Sequence, residues 1–158
     1  MTISRLLVDS PVGPWTIEGD DDAITRISMP SGTVGTSSRS AATPVRDLAR
    51  QFAEYFSGRR QDFDAELRVE GTEFQVDVWT AVAEIPYGEV RTYGEIADGV
   101  GRPHAYRAVG SASGRNAFQI VVPCHRVVAS NGIGGYAGRL DVKRFLLSLE
   151  GVTDYSTR

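Results

Sequence analysis

Apolar residues in the first third of the chain come in short runs separated by turn residues. Ile3-Ser4-Arg5-Leu6-Leu7-Val8 partly alternates, Ser10-Pro11-Val12-Gly13 has turn chemistry, and Trp15-Thr16-Ile17-Glu18 is the next run. Gly19-Asp20-Asp21-Asp22 makes a second turn before the run from Ala23 to Met29. This pattern predicts a three-stranded β-meander. The aspartate triplet reads as a solvated turn, because it lacks the spaced ligands and closing glutamate of a calcium loop. Serine, threonine and glycine dominate from Pro30 to Thr43, where a mobile loop is expected. Thr43-Pro44 then opens a helix with Thr43 as its N-cap. Val45, Leu48, Ala49, Phe52, Ala53 and Phe56 mark its buried face, and Gly58 its end. Phe63, Ala65, Leu67 and Val69 alternate with charged residues, which predicts one more strand. Residues 1–69 thus read as a small N-terminal α/β domain.

From residue 70 the period becomes helical. Thr72-Glu73-Phe74-Gln75 is a capping box, and its helix should run to about Glu84, ahead of Pro86. Thr92-Tyr93-Gly94-Glu95 is a second capping box, with a short helix ending at Gly99 or Gly101. Arg102-Pro103 predicts a third helix to about Gly114. Two short helices around a glycine-containing turn fit a helix-turn-helix. The third helix is small-sided, with Ala105, Ala108, Gly110, Ser111, Ala112 and Ser113. Tight packing inside the protein explains that composition. So does entry into a nucleic-acid groove, with Arg107 and Arg115 supplying charge.

Ile120-Val121-Val122 and Val127-Val128 read as a buried β-branched strand, broken at Pro123 because proline cannot donate to a sheet ladder. The break is expected to present Cys124 at a strand end. Ser130-Asn131-Gly132 is a turn, followed by a glycine-rich loop to Arg139 that lacks the Lys-Ser/Thr pair of a phosphate loop. Asp141 can cap a last helix with Val142, Phe145, Leu146 and Leu149 on its buried face, ended by Gly151, with residues 152–158 as a frayed tail. Residues 70–158 form a second, mainly helical domain on this reading.

Composition narrows the chemistry. An apolar fraction of 41% over 158 residues is enough for a core. A single cysteine excludes an intramolecular disulfide and a cysteine-built zinc site, and suits a reducing cytosol. The histidines, His104 and His125, are too few for a structural metal site. Asp9 and alternating polar residues near the start argue against a signal peptide, and no run approaches a membrane span. A cytoplasmic location is expected. The net charge of -3 hides an asymmetry. Between Arg102 and Arg144, seven arginines and lysines face one aspartate, the kind of local basic surface that phosphates attract. A lone cysteine among valines is by itself a small buried hydrophobe. Here the neighbouring His125 and Arg126 favour a thiolate.

Pro123-Cys124-His125-Arg126-Val127 resembles the active-site motif of the O6-alkylguanine-DNA alkyltransferases. The resemblance extends from about Gly71 to Gly151. It includes Gly71-Thr72-Glu73-Phe74-Gln75, Ile85-Pro86-Tyr87-Gly88-Glu89, Thr92-Tyr93-Gly94-Glu95-Ile96-Ala97, Arg107-Ala108-Val109-Gly110 and Asn116. It implies an α+β fold: a ribonuclease-H-like N-terminal domain, then a mainly helical domain with a winged-helix-like helix-turn-helix. It also implies single-turnover transfer of the alkyl group from O6-alkylguanine, and from O4-alkylthymine, to Cys124 after base flipping. No cofactor and no metal are implied. The implied partner is double-stranded DNA bound through its minor groove, by a monomer.

The resemblance also distributes roles. Cys124 is the nucleophile, His125 takes its proton through a water, and Glu150 orients His125. The Glu150 match needs a one-residue deletion in the loop between Asn131 and Tyr136. Asn116 braces the turn before the cysteine, and Tyr93 donates toward the purine. Arg107 fills the space left by the flipped base, while Ala105, Ala108, Gly110, Ser111, Arg115 and Thr92 line the DNA face. Tyr93, Val127, Tyr136, Ala137 and Gly138 form the base pocket. Ala137 stands where some relatives carry serine or glycine, so only its backbone N–H can serve O6. Two alternatives remain open. One is a non-catalytic, damage-flagging alkyltransferase-like protein, which typically replaces the cysteine. The other is a Cys-His hydrolase, which needs an oxyanion hole and no helix-turn-helix.

Overall fold

The structure, a computed structural model, describes residues 2–31 and 35–155. Parts of the expected loop (32–34) and tail (156–158) lie outside the described residues. The chain divides into two compact units. One holds the residues up to Val69 together with Ala117–Gln119, and the other holds Glu70–Asn116 and the chain from Ile120 onward.

The first unit is built on the meander. Strands β1 (Ser4–Val8), β2 (Trp15–Gly19) and β3 (Ile24–Ser28) form an antiparallel sheet in that order, with Leu6 opposite Ile17 and Ile17 opposite Ile27. Helix α1 (Thr43–Phe56) packs on it. Trp15, Ile17, Ile24, Ile27, Val45, Leu48, Phe52 and Tyr55 are buried between them. A fully buried side chain of this size contributes roughly 1.5–3 kcal/mol.

Four expectations for this unit are corrected. Ala42, not Thr43, is the N-cap of α1, and no side chain caps it; Thr43 Oγ1 instead accepts from Arg46. The buried face of α1 runs through Gln51 and Tyr55, and Ala53 is exposed. Residues 63–69 form no strand; only Leu67 bridges to Ile24. The Gln51 amide explains this, because it occupies both backbone groups of Asp64 at 2.8 Å, a place a ladder partner would need. Asp20 is buried rather than solvated. It accepts from the Asp22 and Ala23 N–H groups and pairs with Arg68, which holds its carboxyl well below the usual range.

The second unit carries both capping boxes. Helix α2 (Glu73–Ala83) opens with the reciprocal Thr72–Gln75 bonds, and α3 (Tyr93–Gly99) with those of Thr92 and Glu95. Helix α4 (Tyr106–Gly114) starts later than expected. Arg102–Ala105 is a separate turn, closed by the Ala105 N–H to the Arg102 carbonyl at 2.9 Å, with Pro103 at its second position. Short strands β4 (Arg91–Thr92) and β5 (Val127–Val128) pair in parallel. Helix α5 (Leu140–Leu149) buries Val142, Lys143, Leu146 and Leu147, while Phe145 and Leu149 are half-buried. Asp141 does not cap α5; it pairs with Arg139 at 3.0 Å. Nor is the described part of the tail frayed. Val152 is buried with Val90, Val128 and Leu147, and Tyr155 packs against them.

Candidate active site

The apolar run before Cys124 is not a strand. Pro123 adopts φ -81°, ψ 63°, and the Cys124 N–H donates to the Val122 carbonyl at 2.8 Å. This is an inverse γ-turn, which the fixed φ of proline favours. A 3-10 turn over Cys124–Arg126 follows directly. The two tight turns bury the cysteine, leaving it 6% exposed, instead of presenting it at a strand end.

Asn116 follows α4 and ties the turns together. Its Nδ2 donates to the Val122 carbonyl at 2.8 Å and to Cys124 Sγ at 3.3 Å. Burial pushes the Cys124 thiol up; hydrogen bonds from Asn116 and Tyr136 and the charge of Lys143 oppose that push. The expected help from Arg126 is absent. Its guanidinium is turned onto Glu150 (2.7 and 3.1 Å) and the Ile85 carbonyl (2.7 Å), over the Tyr87 ring.

His125 and Glu150 form a buried pair, Nε2 to Oε2, at 2.7 Å. Burial lowers the His125 pKa below its ordinary 6.5, so the ring is neutral at pH 7. Burial alone would raise the Glu150 carboxyl, yet hydrogen bonds from His125 and Arg126 hold it near 2. A neutral imidazole beside a carboxylate carries its proton on Nε2 and donates it there. Nδ1 is then a bare acceptor, and it is buried with no hydrogen-bond partner among the described residues. The arrangement is a buried imidazole, next in the chain to the thiol, with Nδ1 open to accept a proton and Nε2 fixed by a carboxylate ionised at neutral pH.

Lys143 completes the cluster. It is fully buried on α5, and its Nζ donates to the carbonyls of Val127 (2.7 Å) and Gly135 (3.1 Å). Burial lowers its pKa to about 8, with Cys124 opposing. The ammonium lies 6.0 Å from the centre of the Tyr93 ring, and Tyr93 Oη donates to the same Gly135 carbonyl at 3.5 Å. Burial raises the Tyr93 pKa, so the phenol keeps its proton at neutral pH. Gly134 must be glycine here. It has φ +79°, and a Cβ would sit 3.1 Å from Tyr93 Oη.

Residues 73–152 match the DNA-binding domain of 6-O-methylguanine DNA methyltransferase, and residues 3–69 match its ribonuclease-like domain. The chain belongs to the 6-O-methylguanine DNA methyltransferase family. It is 47% identical to the methylated-DNA--protein-cysteine methyltransferase of Methanosarcina acetivorans, over 92% of this chain and 96% of that one. The crystal structure of the Mycobacterium tuberculosis O6-methylguanine methyltransferase superimposes with a TM-score of 0.85 at 42% identity, covering 94% of this chain and 93% of the other. A crystal structure of Mycobacterium tuberculosis OGT in complex with DNA gives 0.80 at 45% identity, covering 91% and 90%. The expected family and its α+β architecture therefore hold.

The structure brings Cys124, His125, Glu150, Asn116, Tyr93 and Tyr136 into one cluster. Val127 lines it through the carbonyl that Lys143 holds. Ala137 and Gly138 stand exposed on the loop, Ala137 with φ +48°. Arg107, Ala108, Ser111 and Arg115 are exposed on or just after α4, while Gly110 is half-buried near Tyr93. Ala105 is the half-buried N-cap of α4, and Thr92 is engaged as the N-cap of α3. Sequence reasoning missed Lys143 as part of the site and misassigned Arg126. A signal existed: Lys143, Leu147 and Glu150 share one helical face by their spacing of four and three.

Proposed function

We propose that this protein reverses alkylation damage in DNA by moving the alkyl group of O6-alkylguanine onto Cys124, once per molecule. The observation that carries the reading is the lone cysteine held by Asn116 beside the His125–Glu150 pair. The chemistry follows from those groups. His125 Nδ1 takes the thiol proton, directly or through a water. The thiolate attacks the alkyl carbon, an S–C bond forms, and the C–O6 electron pair leaves with guanine. Tyr93, a protonated phenol, donates toward the purine as that charge develops. The proton on His125 balances the proton that guanine gains.

The O6 atom lies inside the duplex stack, so the nucleotide must rotate out, at a cost of about a few kcal/mol. On this reading Arg107 fills the gap from the minor groove and Arg115 neutralises phosphate; the exposure of both side chains supports it. Among the described residues no group beside Cys124 has the chemistry to cleave a thioether, which supports a single turnover. No helix among the described residues is long and apolar enough to cross a membrane. A free thiol of this kind belongs in a reducing compartment, and we assign the cytoplasm.

The test is intact-protein and peptide mass spectrometry after mixing with a duplex carrying one O6-methylguanine. The expected result is a gain of one methyl per protein, located on Cys124. Tight binding without a mass change would replace the proposal with a damage-flagging role. Turnover of a simple ester without DNA would replace it with hydrolysis.

A further inference from the structure

Tyr106, the first residue of α4, is a large side chain left in the open. It is 50% exposed, more than any other large hydrophobic residue among those described. Nothing in the mechanism above uses it. The guanidinium of Arg107 lies 5.8 Å from the centre of its ring, so the two side chains form a flat aromatic–cation pair. The position has a direction as well. Residues four apart share a helix face, and one turn on from Tyr106 is Gly110, where a Cβ would lie 3.9 Å from the Tyr93 ring. Tyr106 therefore stands at the edge of α4 that leads to the cluster around Cys124. Its neighbours on the helix surface, Val109 and Gly110, are buried and half-buried, so neither covers the exposed ring.

We propose that Tyr106 is a further DNA-contacting residue, which stacks on the base step beside the extruded nucleotide while Arg107 occupies the gap. The inference rests on the proposed alkyl transfer and deepens it. An aromatic face stacks on any base, so the contact carries no sequence preference. Its action falls on the cost of opening the duplex. A base step left half-unstacked by flipping gains an aromatic neighbour in place of the lost one. The phenol hydroxyl plays no part.

The experiment compares single-turnover alkyl transfer from O6-methylguanine in a duplex and in the single strand of the same sequence. The wild type, Y106A, Y106F and Y106W are measured on both. Y106A should slow transfer from the duplex by about tenfold, the scale of one lost stacking contact. It should change transfer from the single strand by less than about twofold, because that substrate has no duplex to open. Y106F and Y106W should restore the duplex rate. Equal rates for Y106A and wild type on the duplex would overturn the proposal. So would equal slowing on both substrates, which a loss of fold would produce, or no further slowing when Y106A is added to R107A, which a mere loss of Arg107 placement would produce. Failure of the wild type to transfer from either substrate would instead overturn the alkyl-transfer reading itself.

Discussion

A buried lysine with no carboxylate partner among the described residues is the unusual residue of this site. Lys143 donates only to the carbonyls of Val127 and Gly135, and its charge opposes the burial that raises the Cys124 thiol. Desolvation of an ammonium is costly, so the position is retained against the stability of the unit. Replacing Lys143 with methionine keeps the length and removes the charge. The thiol should then be harder to ionise, and its alkylation by iodoacetamide at pH 7.5 should slow about tenfold, the equivalent of one pKa unit. An unchanged rate would mean that the ammonium serves only the loop carbonyls. Stability gives a second readout with a definite sign. Lys143 titrates near 8 in the fold against 10.5 as the ordinary value, so the unfolded chain binds more protons across that window. The contribution of this group therefore rises with pH from about 8 to 10.5, and K143M should lose that part of the slope in urea midpoints.

At the scale of elements, local rules carried the chain far. The meander, both capping boxes and the ends of α2 and α3 were legible, because each depends on neighbours within a few residues. What failed depended on distant partners. The segment 63–69 alternates like a strand, but Gln51 of α1 takes the backbone of Asp64. The run before Cys124 is β-branched like a strand, but Pro123 bends it into a γ-turn and Asn116 holds it there. An apolar pattern has no place for a buried cation, so from sequence Lys143 counts only among the basic residues between Arg102 and Arg144. The nucleophile and its histidine are therefore readable from adjacent residues, Asn116 and Glu150 only through the family resemblance, and Lys143 not at all. The capping box of α3 offers a test at this scale. A helix of 7 residues has little stability of its own, and its first residue is Tyr93. Thr92→Ala removes the acceptor for the Glu95 N–H at 3.0 Å, which should cost about 1 kcal/mol in denaturant titrations. It should also slow alkyl transfer, because Tyr93 loses its fixed start. A stability loss with full transfer rate would separate the cap from the position of the phenol.

On the proposed single transfer per molecule, the stability of the whole molecule should record whether that event has happened. The protein is mildly acidic overall while the segment from Arg102 to Arg144, where α4 and the cysteine lie, carries a net positive charge. Cys124 sits in that region with 6% exposure, its sulfur accepting from Asn116 and Tyr136. A methyl group on that sulfur adds volume to a filled site, and overpacking of this kind costs typically about 1–3 kcal/mol. It also removes the charged form of the acceptor that Asn116 and Tyr136 face. Lys143 loses the one influence that raises its pKa, so the ammonium becomes harder to keep buried. All three changes have the same sign. Each kcal/mol lost should lower Tm by roughly 2–4 °C for a chain of this size. Calorimetry before and after stoichiometric methylation should show the drop, and it should be smaller in K143M, where the stranded ammonium no longer exists. An unchanged Tm would mean that the turns around Cys124 yield to the methyl, and that the spent protein is not marked by its own instability.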